Sequence, residues 1–227
     1  MSILFATPCY GGVAMVEYMV SMRAMDAVAQ EIGLRCDWLF RWNESLIQRA
    51  RNGMAAYFLD ETDFERMMFI DADIEFTPDD VAKLWNMDED VAVGVYAMKK
   101  RGEDWFACWK DGKLVKDLDQ FGAEPVAVDY AGTGFMMIHR RVLEKFRDAW
   151  PERAHDEGGR PGGNRPDVPG KSFAWFDPRV DHENRLYLSE DYAFCHDWRS
   201  LGGRIICDPT VRLKHWGRYA YGDENAR

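Results

Sequence analysis

The sequence predicts an α/β fold: a single domain with a mixed, mostly parallel central sheet flanked by helices. Three observations lead there. Apolar runs of strand length, among them Ile3-Leu4-Phe5-Ala6, Met67-Met68-Phe69-Ile70 and Val91-Ala92-Val93, are separated by stretches of helical periodicity, the order expected of strand–helix–strand units. The runs are continuously apolar, as in strands covered on both faces. The length of 227 residues suits one α/β domain, and 47% hydrophobic with 14% aromatic residues is enough for a real core.

The elements follow in order. The first strand ends in Thr7-Pro8-Cys9-Tyr10-Gly11-Gly12, a Pro/Gly turn of the kind that opens many nucleotide sites. It carries neither a Gly-x-Gly-x-x-Gly fingerprint nor a Gly-Lys-Ser/Thr phosphate loop. Residues 13–32 have helical periodicity, and Gly33 is a natural stop. A second strand covers Cys36 to Phe40. The stretch Glu44 to Leu59 reads as a helix whose apolar face is Leu46, Ile47, Ala50, Met54 and Phe58, with Arg49, Arg51 and Asn52 close together near its start. Those three are either a solvated face or cations and an amide that meet a nucleotide.

Met67-Met68-Phe69-Ile70 runs straight into Asp71-Ala72-Asp73. Residues i and i+2 of a strand point to the same face, so Asp71 and Asp73 are expected side by side at its C-terminal end, where ligands bind in open α/β sheets. Two adjacent carboxylates repel unless a cation lies between them, and a divalent ion shared with substrate phosphates answers that need. The alternative is a pair of exposed caps for the next helix. Thr77-Pro78-Asp79-Asp80 starts that helix as N-cap, first helical residue and capping-box acid, and it runs to about Asn86.

Val91 to Tyr96 is a further strand. Lys99-Lys100-Arg101 is a dense basic cluster, either a solvated turn or a contact for phosphates or an anionic acceptor. Ala107 to Leu118 is a hairpin turning at Asp111-Gly112. Two apolar segments flank Ala131-Gly132-Thr133-Gly134, whose glycines allow close approach of a backbone or a ligand. Residues 140–150 are helical. Residues 151–170 are rich in Gly, Pro and charge and read as a mobile loop, either a lid or plain disorder. Ser172 to Phe176 is strand-like, Ser189-Glu190-Asp191 opens a late helix that Leu201-Gly202-Gly203 stops, Ile205 to Asp208 is the last strand, and Val211 to Gly217 is extended.

Composition limits the function. A formal net charge of -10 argues against a broad electrostatic nucleic-acid footprint. The five cysteines, Cys9, Cys36, Cys108, Cys195 and Cys207, form no Cys-x-x-Cys pair and are odd in number, so reduced thiols in a cytoplasmic protein are expected. No stretch has the features of a signal peptide or the length of a membrane span. Nine tryptophans is a high count, and some of them are expected to line a site.

Taken together, the opening Thr7-Pro8-Cys9-Tyr10, Arg49-Ala50-Arg51-Asn52, Asp71-Ala72-Asp73, Gly132-Thr133-Gly134-Phe135, Glu190-Asp191 and the Asp208-Pro209 to His215 tail resemble a GT-A (Rossmann-like) glycosyltransferase of the small soluble bacterial or viral kind. Parts are also similar to fungal mannan-polymerase-type transferases. The resemblance spans nearly the whole chain and implies a nucleotide-binding half at 1–100 and an acceptor-binding half at 101–227. It implies that Thr7, Pro8 and Tyr10 hold the base and ribose of a UDP- or GDP-linked sugar, that Arg49 and Asn52 contact nucleotide or diphosphate, and that Gly132, Thr133 and Gly134 floor the sugar site. Asp71 and Ala72 would meet the donor. Asp71, Asp73 and His215 would surround a Mn²⁺ or Mg²⁺ ion. Asp191 would be the general base, with Glu190 its neighbour or a sugar contact. The acceptor implied is a glycan or glycolipid, with a hydroxymethylated pyrimidine in DNA as an alternative, and the setting a bacterial cell or virus-infected host. Two other classes share parts of the pattern: an Asp-x-Asp phosphatase, and a non-catalytic nucleotide-sugar-binding module.

Overall fold

The computed structural model describes residues 2–99, 105–156, 171–217 and 220–221. In chain order the elements are β1 (Ser2–Cys9), α1 (Val16–Ile32), β2 (Arg35–Trp42), α2 (Ile47–Glu61), β3 (Arg66–Ile70), β4 (Ile74–Glu75), α3 (Pro78–Asn86) and β5 (Val91–Val93). There follow β6 (Cys108–Lys110), β7 (Lys113–Leu114), β8 (Val126–Val128), β9 (Tyr130–Ala131), β10 (Phe135–His139), α4 (Arg140–Ala149), β11 (Ala154–Asp156) and β12 (Lys171–Phe173). The chain continues through β13 (Arg179–Asp181), β14 (Leu186–Leu188), α5 (Glu190–Ser200), β15 (Ile205–Cys207), β16 (Lys214–Trp216) and β17 (Ala220–Tyr221).

Seven strands form the central sheet in the order β2-β1-β3-β10-β5-β15-β8. The strand β1 is parallel to β2 and β3, and β15 is parallel to β5, while β10 and β8 run the other way. The sheet is therefore mixed and mostly parallel, as predicted. Alternate residues of each strand feed opposite layers of core, which follows from the two-residue period of a strand. Leu4, Ala6, Met67, Phe69, Met136 and Ile138 pack with α2, α4 and α5 on one face. Ile3, Phe5, Met68, Ile70, Phe135 and Met137 pack with α1 and α3 on the other. Both faces are covered, which accounts for the unbroken apolar runs.

Several local predictions hold. Gly33 ends α1 in the left-handed conformation at φ 68°. Asp111 and Gly112 both have positive φ, 51° and 69°, as the tight hairpin turn between β6 and β7 requires. Thr77 accepts from the Asp80 N–H while the Asp80 carboxylate accepts from the Thr77 N–H, with Pro78 as first helical residue. Thr77→Ala removes the first half of that exchange. The expected loss is about 1 kcal/mol, seen as a fall of roughly 2–4 °C in melting temperature by calorimetry.

Other boundaries differ. α1 begins at Val16 and α2 at Ile47, because Tyr10–Gly12 forms a separate 3-10 turn with positive φ at Gly11 and Gly12 and Ser45 and Leu46 remain outside the second helix. The strand predicted over 91–96 is regular only to Val93. Of residues 151–170, Pro151–Arg153 makes a 3-10 turn and Ala154–Asp156 pairs with Lys171–Phe173, so at least these are ordinary structure. The rest, 157–170, together with Lys100 and Arg101 of the basic cluster, lies outside the described residues. All five cysteines are unpaired. Among the described residues no helix is long and apolar enough to cross a membrane.

Candidate functional site

The C-terminal ends of β1 and β3 and the N-terminal end of β10 meet at one edge of the sheet, since Ile70 stands opposite Phe135 and Ala6 beside Phe69. A cleft of about 600 Å³ opens there. Its wall is built from the end of β1 and the turn after it (Pro8, Cys9, Tyr10, Val13, Met15), the β2–α2 segment (Arg41, Glu44, Leu46, Ile47, Gln48, Arg51), Asp71-Ala72-Asp73 and Glu190.

The Asp-x-Asp pair is not on a strand. β3 ends at Ile70, and Asp71 to Asp73 form a turn closed by the Ile74 N–H on the Asp71 carbonyl at 3.0 Å. The two carboxylates are thereby sent to different partners. Asp71 accepts from Arg51 Nη2 at 2.9 Å. Asp73 is paired with Lys99, and its other oxygen lies 3.4 Å from His215 Nε2. Burial pushes Asp73 up, but hydrogen bonds from His215 and Lys99 outweigh it and hold the carboxyl below its ordinary range.

His215 arrives because β16 pairs with β4, placing it opposite Ile74 directly after the turn. The Trp216 N–H donates to the Asp73 carbonyl at 2.8 Å and fixes the register. His215 Nδ1 lies 2.9 Å from the Ala97 carbonyl. A carbonyl oxygen only accepts, so Nδ1 carries the proton. Nε2 then faces Asp73 either as part of an imidazolium or with a cation between them. A histidine whose far nitrogen donates to a backbone carbonyl is the usual arrangement of a metal ligand. Among the described residues no three His, Cys, Asp or Glu form a metal cage. Asp73 and His215 fit a divalent ion as two protein ligands, with the remaining positions left to substrate oxygens and water.

Arg51 is the buried cation of the cleft. It is 3% exposed and lies against the ring of Phe69 at 5.2 Å. Its Nη2 bonds Asp71, its Nε stands 3.7 Å from Glu190 Oε1, and Nε and Nη1 have no hydrogen-bond partner. Burial alone would lower its pKa, but Asp71, Glu190 and Tyr96 outweigh this and raise it.

Glu190 and Asp191 occupy the first turn of α5, where acidic groups gain from the helix dipole. The N-cap Ser189 does not bond the helix backbone. Its hydroxyl donates to Asp191, which also accepts from the Tyr192 N–H at 2.8 Å. Burial, reinforced by neighbouring Glu190, pushes Asp191 up to about 6, against the smaller opposing effects of those hydrogen bonds and Arg51.

The glycines of 132–134 answer to a side chain of the protein itself. A Cβ on Gly132 would lie 2.4 Å from the Tyr96 hydroxyl, and one on Gly134 would lie 2.6 Å from it and 2.8 Å from Asp71 Oδ2. The Gly134 N–H donates to that hydroxyl at 3.0 Å, and the Gly134 carbonyl accepts from the Asp71 N–H at 3.0 Å. Tyr96 in turn packs edge-on against His215 at 5.1 Å. Thr133 is buried with its hydroxyl unpartnered.

Three predicted donor contacts have other roles. Arg49 points to Glu44, with bonds of 2.7 and 2.5 Å. Asn52 is 2% exposed; it accepts from the Trp175 and Phe176 N–H groups and donates to Asp177 at 2.9 Å, tying the segment after β12 to α2. Thr7 is fully buried, with its hydroxyl 2.6 Å from that of Tyr18. Pro8, Tyr10, Asp71 and Ala72 do line the cleft. Tyr96 was not singled out from the sequence, and Arg51 was marked only as one of three residues on a face either solvated or turned to a nucleotide, with no role of its own. Arg51 falls four residues before Ala55 and next to Ala50 on the buried side of α2, and a charge on an apolar stripe is the signal that marks it.

No protein-family model matches the chain, and no curated protein matches it in sequence. Solved structures do match in shape. A197 from STIV aligns over 100% of this chain and 97% of its own, at 19% identity and a TM-score of 0.58. At that identity the likeness is one of fold, and it extends from end to end. The inositol-1-phosphate CTP transferase from T. maritima aligns over 91% of this chain and 84% of its own, with 11% identity and a TM-score of 0.42. A glycosyltransferase involved in the glycosylation of the major capsid of PBCV-1 aligns over 67% of each chain, with 10% identity and a TM-score of 0.36.

Proposed function

We propose that the protein is a metal-dependent glycosyltransferase that moves a sugar from a nucleotide-sugar to an acceptor hydroxyl. The observation that carries this is one cleft lined by Asp71, Asp73, Arg51 and Glu190, with His215 against Asp73 and Asp191 next to Glu190 in the first turn of α5. Pro8 and the exposed Tyr10 at the end of β1 offer an apolar rim for a base. Asp73 and His215 would hold Mn²⁺ or Mg²⁺; an imidazole beside a carboxylate favours Mn²⁺. Bound there, such an ion would supply positive charge against the diphosphate leaving group. Lys99, on Asp73, adds a second positive charge at that end. Asp191 takes the proton from the acceptor hydroxyl, and a carboxylate titrating near 6 is better matched to that task at neutral pH than an ordinary one. The net charge of -10 favours a glycan or glycolipid acceptor over DNA.

The test is a thermal-shift panel of UDP- and GDP-sugars, each with Mn²⁺, Mg²⁺ or chelator. A donor at about 100 times its dissociation constant stabilises the folded state by about 2.7 kcal/mol, a rise of several degrees for one nucleotide in the presence of metal. No shift with any nucleotide, with or without metal, would overturn the reading.

A further inference from the structure

Arg51 is more than a wall of the cleft. A buried guanidinium with two unpartnered nitrogens is a poor choice for stability, since a well-packed apolar residue serves a core as well or better. Unsatisfied buried polar groups are rare enough to need a reason. The reason lies in what surrounds this one. On the side of the metal-ligand turn, Nη2 bonds Asp71 at 2.9 Å. On the side of the acceptor base, Nε stands 3.7 Å from Glu190, the residue before Asp191. Asp71 and Glu190 come from opposite halves of the chain, and α2 brings one cation between them.

We propose that Arg51 is a positioning residue that joins the two ends of the cleft, a single buried cation that holds Asp71 on one side and Glu190, beside the base Asp191, on the other. The groups that face Asp191 are Glu190, the Ser189 hydroxyl and the Tyr192 N–H on its own segment, Arg51 from α2, the phenol of Tyr96 after β5, and Cys195 one turn further along α5. Arg51 is the one cation among them. Removing its charge leaves only the Ser189 and Tyr192 hydrogen bonds against burial and Glu190, so Asp191 holds its proton to higher pH. The inference rests on the transferase reading for what Asp191 does, but not for its test.

The test is a pH titration of side-chain carboxylates by ¹³C NMR in the protein without substrate or metal, with Asp191 assigned by its loss in Asp191→Asn. Arg51→Met is expected to raise the Asp191 midpoint, because an opposite charge that favours its ionised form is gone. Arg51→Lys, which keeps the charge, should stay close to wild type. An unchanged midpoint in folded Arg51→Met, even with a lower melting temperature, would reduce Arg51 to a structural role and overturn the proposal. Should Arg51→Met not fold, the wild-type protein decides. The Arg51 Nε–H resonance, assigned through Arg51→Lys, should move with the Asp191 midpoint, and a flat response between about pH 4.5 and 7.5 overturns the proposal equally. Neither experiment uses a nucleotide-sugar, so failure of the donor panel and failure of this inference are separate results.

Discussion

Asp73→Ala is expected to lower transfer by about 10³-fold or more while leaving the fold in place. Loss of a ligand to a catalytic cation forfeits several kcal/mol of charge stabilisation, and each 1.36 kcal/mol is about a factor of ten. The fold should survive because backbone atoms hold the turn. The Ile74 N–H bonds the Asp71 carbonyl, the Trp216 N–H bonds the Asp73 carbonyl, and β4 pairs with β16. None of these uses the Asp73 carboxylate. What the substitution does strand is Lys99 and His215, both of which face that carboxylate, so the metal end of the cleft becomes more positive and disfavours a cation further. The measurement is Mn²⁺ binding by electron paramagnetic resonance beside the transfer rate. Wild-type metal affinity and turnover in Asp73→Ala would end the metal assignment, whatever became of the donor.

The sheet was legible because its signals are local. Unbroken apolar runs marked β1, β3 and β5, and Thr77-Pro78-Asp79-Asp80 announced the start of α3 as a pattern of four residues. The site was legible in part. The sequence picked out Asp71, Asp73, His215 and Glu190-Asp191 as candidates, but it could not say which partner each would take. The two-residue period assumed for Asp71 and Asp73 fails because the strand stops at Ile70, and a turn sends the pair apart. Arg49, Arg51 and Asn52 show the same limit on a helix. They lie within four residues, but the 3.6-residue turn sends Arg49 out to Glu44, Asn52 under Trp175 and Phe176, and only Arg51 to the cleft. Which of the three faced the site depended on where α2 packs against the sheet, a contact between residues far apart in sequence. The glycines at 132 and 134 were read as positions where a backbone or a ligand comes close, and what stands there is a side chain. The group that approaches, the Tyr96 hydroxyl, could not be known until β5 and β10 were paired.

Asp191→Asn separates catalysis from stability in opposite directions. Transfer is expected to fall by about 10²–10⁴-fold, the usual worth of a positioned general base, while nucleotide-sugar binding persists, because the lost carboxylate is not a wall of the donor cleft. In the wild type the rate should decline as pH falls through about 6, where the base takes up its proton. The stability effect has the reverse sign to that of an ordinary aspartate. Asp191 is raised from 3.8 to about 6 by burial and Glu190. Between those values the folded state binds more protons than the unfolded chain, so stability falls as pH rises through that window. Above pH 6 the wild type carries a buried charge that asparagine does not, and the variant should melt at a higher temperature than wild type at neutral pH. The gain should vanish below about pH 4, where both states of the wild type are protonated. Stability given up at a site that needs a charged base is the expected trade between the two properties. Calorimetry at several pH values and a transfer assay with one donor check both halves. Transfer at wild-type rate would pass the base role to another group, with Glu190 first in place, and a lower melting temperature at neutral pH would show that Asp191 is stabilised rather than strained by its surroundings.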